Sequence, residues 1–205
     1  DGVGELREGE FRRDGAMIFR HFMTSVNESN AFILACEETR EAILIDVGAF
    51  EPEIEEFLRE GRLRLAKVFI THDHYDHTNG LVEVRDKYRP EIYAGRALCA
   101  GVKAIRVDHG DTIPIGQLTG TVLDTSGHTP EARSLYVPGM VFTGDALFAG
   151  SVGGTASQAA AEQQLDLIRR HIFTLPPETE IHTGHGPSST VAIESRYNPF
   201  FVGEA

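Results

Sequence analysis

Three imidazoles and two carboxylates fall within seven residues, Thr71-His72-Asp73-His74-Tyr75-Asp76-His77, directly after an apolar run. That run, Leu65-Ala66-Lys67-Val68-Phe69-Ile70, is short and β-branched and reads as a buried strand. Polar groups this dense at the end of a core strand are costly unless something pairs with them. Neutral imidazole and ionised carboxylate are both good ligands for a borderline cation such as zinc. A merely solvated, His-rich loop would ask nothing of the rest of the chain. A metal site would need further donors elsewhere, delivered to the same point.

Three later strands end in such donors: Thr125-Ser126-Gly127-His128, Phe142-Thr143-Gly144-Asp145 and His182-Thr183-Gly184-His185. Each is an apolar strand, a small residue, a glycine and one His or Asp. Glycine removes Cβ crowding, so backbones can turn sharply and bring loop tips together. Any one of these corners is weak, since Gly-His or Gly-Asp is more often a turn, and Asp145 alone reads as a cap. As a set they are strong. Four strand ends can aim seven donors at one point, which is too many for one tetrahedral ion but suits two ions sharing a carboxylate.

The remaining sequence fits one ordinary globular domain, 1–205, with 41% hydrophobic residues. Cys36 and Cys99 lie in apolar surroundings and read as buried free thiols of a reducing cytoplasm. No stretch approaches the ~20 apolar residues of a membrane span. The N-terminal residues Asp1-Gly2-Val3-Gly4-Glu5 resemble no signal peptide, although a removed leader stays open. A net charge of −12 argues against nucleic acid as a partner. Strands are predicted within 10–23 and 30–46, a helix over 50–61 with Ile54, Phe57 and Leu58 inward, the strand at 65–70 and a helix over 81–88. From 101 the pattern is mostly strand, with one over 102–107. A long helix comes next over 157–173, with Ala160, Leu165, Ile168 and Ile172 inward, then a strand over 179–182 and a helical turn over 190–196. Two similar blocks, each strands first and helices later, suggest sheets packed face to face with helices outside.

With these motifs assembled, the chain resembles the metallo-β-lactamase superfamily and, within it, the glyoxalase II-like (hydroxyacylglutathione hydrolase-like) hydrolases. The resemblance also takes in Asn30, Asp46 in Leu44-Ile45-Asp46-Val47-Gly48, Gly127-His128-Thr129-Pro130, Gly184-His185-Gly186-Pro187 and the closing Tyr197-Asn198-Pro199-Phe200. It implies a four-layer αββα sandwich with the metals at one edge between the sheets. It also implies that His72, His74 and His128 hold one metal, that Asp76, His77 and His185 hold a second, and that Asp145 bridges them. Asp46 would orient the ligand loop. His21 and His171 read as surface or helix residues, His109 as a turn residue, and His182 as turned away from the metals.

The function implied is metal-dependent hydrolysis, expected on an acyl thioester of the hydroxyacyl-glutathione kind, by a hydroxide bridging two divalent ions. Zn2+ is the first choice of metal, with iron or manganese open, and Asp76 and Asp145 are the catalytic carboxylates. The glyoxalase II enzymes carry a C-terminal helical domain that binds glutathione, and none is expected here, because the chain ends shortly after His185. Many relatives also carry an Arg where this chain has Gly154. Tyr75, Phe148 and Arg133 are candidate pocket residues. An iron-dependent persulfide dioxygenase, a lactonase or a β-lactamase are the alternatives. Expected partners are a small-molecule substrate, without nucleic acid or membrane, and the oligomeric state is left open, a homodimer included.

Overall fold

A computed structural model describes residues 12–14 and 17–203. The expected strand beginning at residue 10 therefore falls partly outside the described residues, as does the N-terminal segment 1–5. The first half of the chain runs β1 (Arg12–Asp14), β2 (Met17–Met23), β3 (Asn30–Cys36), β4 (Glu41–Ile45), α1 (Pro52–Glu60), β5 (Arg64–Phe69), α2 (Tyr75–Thr78), α3 (Leu81–Tyr88), β6 (Glu91–Ala94), β7 (Leu98–Cys99), β8 (Val102–Lys103) and β9 (Ile105–Arg106). The second runs β10 (Thr112–Ile115), β11 (Leu118–Asp124), β12 (Arg133–Val137), β13 (Met140–Gly144), β14 (Leu147–Phe148), β15 (Ser151–Val152), α4 (Gln158–His171), β16 (Glu180–Thr183), β17 (Ser189–Thr190) and α5 (Val191–Tyr197).

Two large sheets result, ordered β1-β2-β3-β4-β5-β6-β9 and β10-β11-β12-β13-β16-β17. In each, antiparallel hairpins come first and a helical connection then brings in a parallel neighbour; only β6 and β9 are parallel with the β7–β8 hairpin between them. β2, β3 and β4 pair antiparallel, while β4, β5, β6 and β9 are parallel. β13 and β16 are likewise parallel, joined through α4. Parallel neighbours need a long crossover, and a helix supplies it.

The layering comes from alternation along single strands. On β3, Ile33 packs into the core under α1 and α3, while Leu34 faces the other sheet. Leu44 and Val68 join Ile33; Ile43, Ile45 and Phe69 join Leu34. A strand buried on both faces reads as continuously apolar, and every residue of β3 is buried. Ile54, Phe57 and Leu58 of α1 close the first core, and Pro52 opens that helix where a missing N–H costs nothing. Phe19, Phe32, Phe69 and Phe142 fill the space between sheets. Val141, Ile181, Ile168 and Ile172 form the third core, beneath α4. Three cores between four layers make the expected αββα sandwich. No helix among the described residues is long and apolar enough to cross a membrane.

Two expectations fail locally. The strand over 102–107 is broken into β8 and β9, because β8 pairs back on β7 in a small hairpin while β9 joins the large sheet. In α4 the buried face carries Gln164, Leu167 and Ile168; Ala160 and Leu165 are only half-buried. The apolar pattern misplaces this face because a glutamine occupies its centre. Cys36 and Cys99 are both buried free thiols, as expected.

Candidate metal centre

Every donor lies just past the C-terminal end of a strand: the His72–His77 loop after β5, His128 after β11, Asp145 after β13 and His185 after β16. The structure brings all seven together in two groups. His72, His74 and His128 form one; Asp76, His77, Asp145 and His185 form the other. Asp145 joins them, with Oδ2 3.5 Å from His72 Nε2 and 3.6 Å from His128 Nε2. Its Oδ1 lies 3.2 Å from His77 Nε2, and Oδ2 lies 3.6 Å from His185 Nε2. His74 Nδ1 is 3.1 Å from His128 Nε2, and Asp76 Oδ2 is 2.9 Å from His185 Nε2.

The hydrogen bonds behind these groups decide which nitrogen of each ring is bare. Asp46 sits at the end of β4 with φ of +58°, a left-handed conformation that a non-glycine residue adopts at a cost. This turns its carboxylate under the ligand loop. Thr71 N–H donates to Oδ1 (2.8 Å), and the Thr71 hydroxyl donates to Oδ2 (2.7 Å). His77 Nδ1 also donates to Oδ2, at 2.9 Å. Since the Thr71 proton is committed to Asp46, His72 Nδ1, 2.9 Å from that oxygen, must be the donor of their bond. His128 Nδ1 donates to the Gly154 carbonyl at 2.6 Å. His72 and His128 thus carry their protons on Nδ1 and present bare Nε2 lone pairs to the centre, and His77, bonded to Asp46 through Nδ1, turns its Nε2 there too, which is how a protein prepares histidine for a metal.

Three atoms at the centre find no hydrogen-bond partner among the described residues. His72 Nε2, His77 Nε2 and Asp145 Oδ1 are all buried without a hydrogen bond. A single buried unpaired group costs about 1–3 kcal/mol, and three converging on one spot would be a large penalty without a compensating cation. The spacings fit such an ion: tetrahedral ligands at a Zn–N distance of about 2.1 Å stand roughly 3.4 Å from each other. In the metal-free chain, burial pushes the His77 imidazole down, but the charges of Asp46 and Asp145 outweigh it and raise the pKa to about 10. Burial likewise pushes the Asp145 carboxyl up, while the His72 and His77 imidazoles beside it hold it well below the usual carboxylate range. A proton on His77 does the work that a cation would take over.

Glycine at the corners has a steric reason. A Cβ on Gly184 would stand 2.1 Å from Asp145 Oδ1 and 2.8 Å from His77 Cε1. One on Gly153 would overlap the Asp145 carbonyl at 1.8 Å. Asn30 braces the last corner, its Nδ2 donating to the Thr183 and Gly186 carbonyls at 2.9 Å each.

Other sequence candidates fare unevenly. Asp73 points away from the centre and ties the loop to Arg96 Nη1 and the Ala100 N–H, both at 3.1 Å. Tyr75 is exposed, and the Phe148 ring stands 6.2 Å from that of His185. Arg133 is not a pocket residue; it is buried and pairs with Asp108 and Asp124 at 3.0 and 3.3 Å, joining the turn before β10 to β11. His21 is neither a free surface residue nor helical, since it lies on β2 and bonds Asn30 Oδ1 at 2.6 Å. His109, in its turn, stacks on His171 of α4. His182 turns away from the centre, packing on Phe19 and Phe142 and bonding Ser188.

Sequence reasoning missed Glu131, Gln164 and Glu194. Glu131 accepts the Asp73 N–H at 2.9 Å. Gln164 bonds both the His128 N–H and the Gly153 carbonyl. Glu194, buried in α5, accepts the Gly150 N–H at 2.7 Å and fixes the loop beyond Asp145. Nothing local marks these three; their partners are distant in the chain.

Residues 25–100 match the metallo-beta-lactamase superfamily model. The probable metallo-hydrolase YqgX of Bacillus subtilis is 30% identical over 91% of this chain and 99% of its own length. The hydroxyacylglutathione hydrolase of Idiomarina loihiensis is 28% identical over 80% of this chain, which spans 64% of that enzyme's length. Among solved structures, BLEG-1 B3 metallo-beta-lactamase superposes with a TM-score of 0.80 at 27% identity, covering 90% of this chain and all of that one. TTHA1623 in a di-iron-bound form superposes with a TM-score of 0.75 at 25% identity, covering 88% of this chain and 98% of that one. Fold, site and relatives agree, and the chain belongs to the metallo-β-lactamase superfamily.

Proposed function

We propose that this chain is a two-metal hydrolase of acyl thioesters, of the glyoxalase II type. The observation that carries the reading is the meeting of two donor groups on one carboxylate, Asp145, with His72 Nε2, His77 Nε2 and Asp145 Oδ1 otherwise unpaired. His72, His74 and His128 would hold one ion, Asp76, His77 and His185 the other, with Asp145 shared. When bound, the ions would lower the pKa of water from 15.7 to about 7 and polarise the scissile carbonyl. Zn2+ is the proposed metal on the chemistry of the donors; iron is the competing choice, since a similar structure holds two irons.

The chain's own residues do the rest. Asp76 is half-buried, with Oδ2 beside His185, and is placed to orient the attacking water and hold its proton. Asp46, directly for His77 and through Thr71 for His72, occupies Nδ1 and leaves Nε2 turned to the centre. The Phe148 ring walls the His185 side with apolar surface. The titratable side chains gathered at the centre are all taken as donors. That suits a leaving group that departs unprotonated, as a thiolate of pKa about 8.5 does. A hydroxyacyl-glutathione thioester is the proposed substrate class, on the likeness to the hydroxyacylglutathione hydrolase.

The test is metal analysis of the purified protein and then a substrate panel. Two equivalents of metal with turnover of a hydroxyacyl-glutathione thioester are expected. One iron with oxygen uptake on a glutathione persulfide, or hydrolysis confined to lactones or β-lactams, would overturn the thioesterase reading.

A further inference from the structure

Gln164 is an unusual residue for its place. It lies at the centre of the buried face of α4, 1% exposed, among Leu167, Ile168 and the strands of the second sheet. A buried side-chain amide is costly unless both of its ends are satisfied. Here both are, and both partners belong to the metal centre's wall. The His128 backbone N–H donates to Oε1 at 2.5 Å, and Nε2 donates to the Gly153 carbonyl at 2.9 Å. An N–H can only donate and a carbonyl can only accept, so the amide has a single orientation. Gly127, just before His128, has no room for a side chain, because a Cβ there would stand 2.4 Å from Gln164 Cβ.

The two tethers lie on either side of a third bond. Gly154, the residue after Gly153, offers the carbonyl that accepts His128 Nδ1–H at 2.6 Å. One glutamine therefore fixes the backbone that carries the imidazole and the neighbouring backbone that fixes its tautomer. We infer that Gln164 is the positioning residue for His128: it closes a ring through His128 and Gly153–Gly154 that keeps Nε2 bare and aimed at the first metal. It touches neither substrate nor ion. The role resembles that of Asp46 for His72 and His77, achieved with a neutral amide in place of a charge. The inference rests on the metal reading of the centre, yet its first observable, the tautomer, needs no metal.

Two measurements decide it. In the metal-free parent, imidazole nitrogen NMR is expected to show His128 protonated on Nδ1; protonation on Nε2 would overturn the inference without any variant. Gln164→Met keeps length and removes both bonds. Zn2+ competition with a chelator is expected to show the first site weakened about 10–100-fold and the second little changed, with His128 losing its single tautomer. Gln164→Glu, which keeps an acceptor for the His128 N–H but no donor for Gly153, is expected to fall between Gln164→Met and the parent. Gln163→Met, on the same helix, removes a bond to Ser126 Oγ in the loop after β11 and is expected to match the parent. A folded Gln164→Met with both affinities within about threefold of the parent and His128 still protonated on Nδ1 would sink the inference. A parent that binds no Zn2+ but loses the tautomer in Gln164→Met would uphold the clamp and remove the metal reading instead.

Discussion

The loop after β5 and the three later corners supply donors to one centre but are held in different ways. His72 and His77 are buried outright and hang from a single charged brace, Asp46, which fixes two rings and the loop backbone together. His128 and His185 keep 17% and 30% of their side-chain surface, and their braces are neutral: Gln164 for one, Asn30 for the other. Gly153 clears the Asp145 carbonyl and the His128 ring, and Gly184 clears the Asp145 carboxylate and the His77 ring. Order in the first region is concentrated in one carboxylate. In the second it is spread over separate backbone bonds, each local to one donor, and over glycine clearances.

That contrast ranks the expected effects of substitution. Asp145→Ala removes the one group common to both sites, so metal content should fall toward zero and kcat/KM by about a thousandfold or more, read by elemental analysis and steady-state kinetics. Asp46→Asn keeps the shape but loses the charge. It should weaken metal binding about 10–100-fold at both sites, because His72 belongs to one and His77 to the other. Asn30→Ala should lower affinity only at the site of His185. Equal damage to both sites from Asn30→Ala would erase the distinction between concentrated and distributed bracing. Gly184→Ala must displace Asp145 or the backbone by more than a rotamer change allows, and should cost about 1–3 kcal/mol of stability in thermal or denaturant unfolding.

The smallest effect expected is on pH dependence in metal-free protein. The folded pKa of His77 lies near 10, above its ordinary 6.5, so its contribution to stability is complete below about 6.5 and lost as pH rises toward 10. Asp145 is depressed in the folded state, so its contribution is present above its ordinary 3.8 and lost as pH falls. Chelated protein should therefore melt at lower temperature as pH climbs from 7 to 10. The gain in melting temperature from added Zn2+ should grow over the same range, because metal displaces the His77 proton. A metal-free melting temperature that rises between pH 7 and 10 would contradict the proposed proton on His77.

Much of this was legible in the chain. The donors could be read because ligand chemistry tolerates few residue types, and because glycine before each corner donor announces a tight approach. β3 and α1 could be read because burial on two faces leaves a continuous apolar run and burial on one stripe a periodic one. Gln164 could not, since a glutamine in an amphipathic pattern reads as solvent-facing until its partners are known. Arg133 reads as a pocket candidate in the sequence, and only the fold reveals that Asp108 and Asp124 take its charge. The left-handed turn at Asp46 had no local signal either, as no glycine or asparagine marks it.

The central claim is that seven donors form two sites sharing Asp145. Titrating Zn2+ into chelated, folded protein by calorimetry, with proton release tracked in buffers of different ionisation enthalpy, tests it directly. Two equivalents per chain are expected in the parent, with protons released as His77 gives up its own, and neither equivalent should bind tightly in Asp145→Ala. A parent that binds a single equivalent, with an affinity indifferent to Asp145→Ala, would contradict the account.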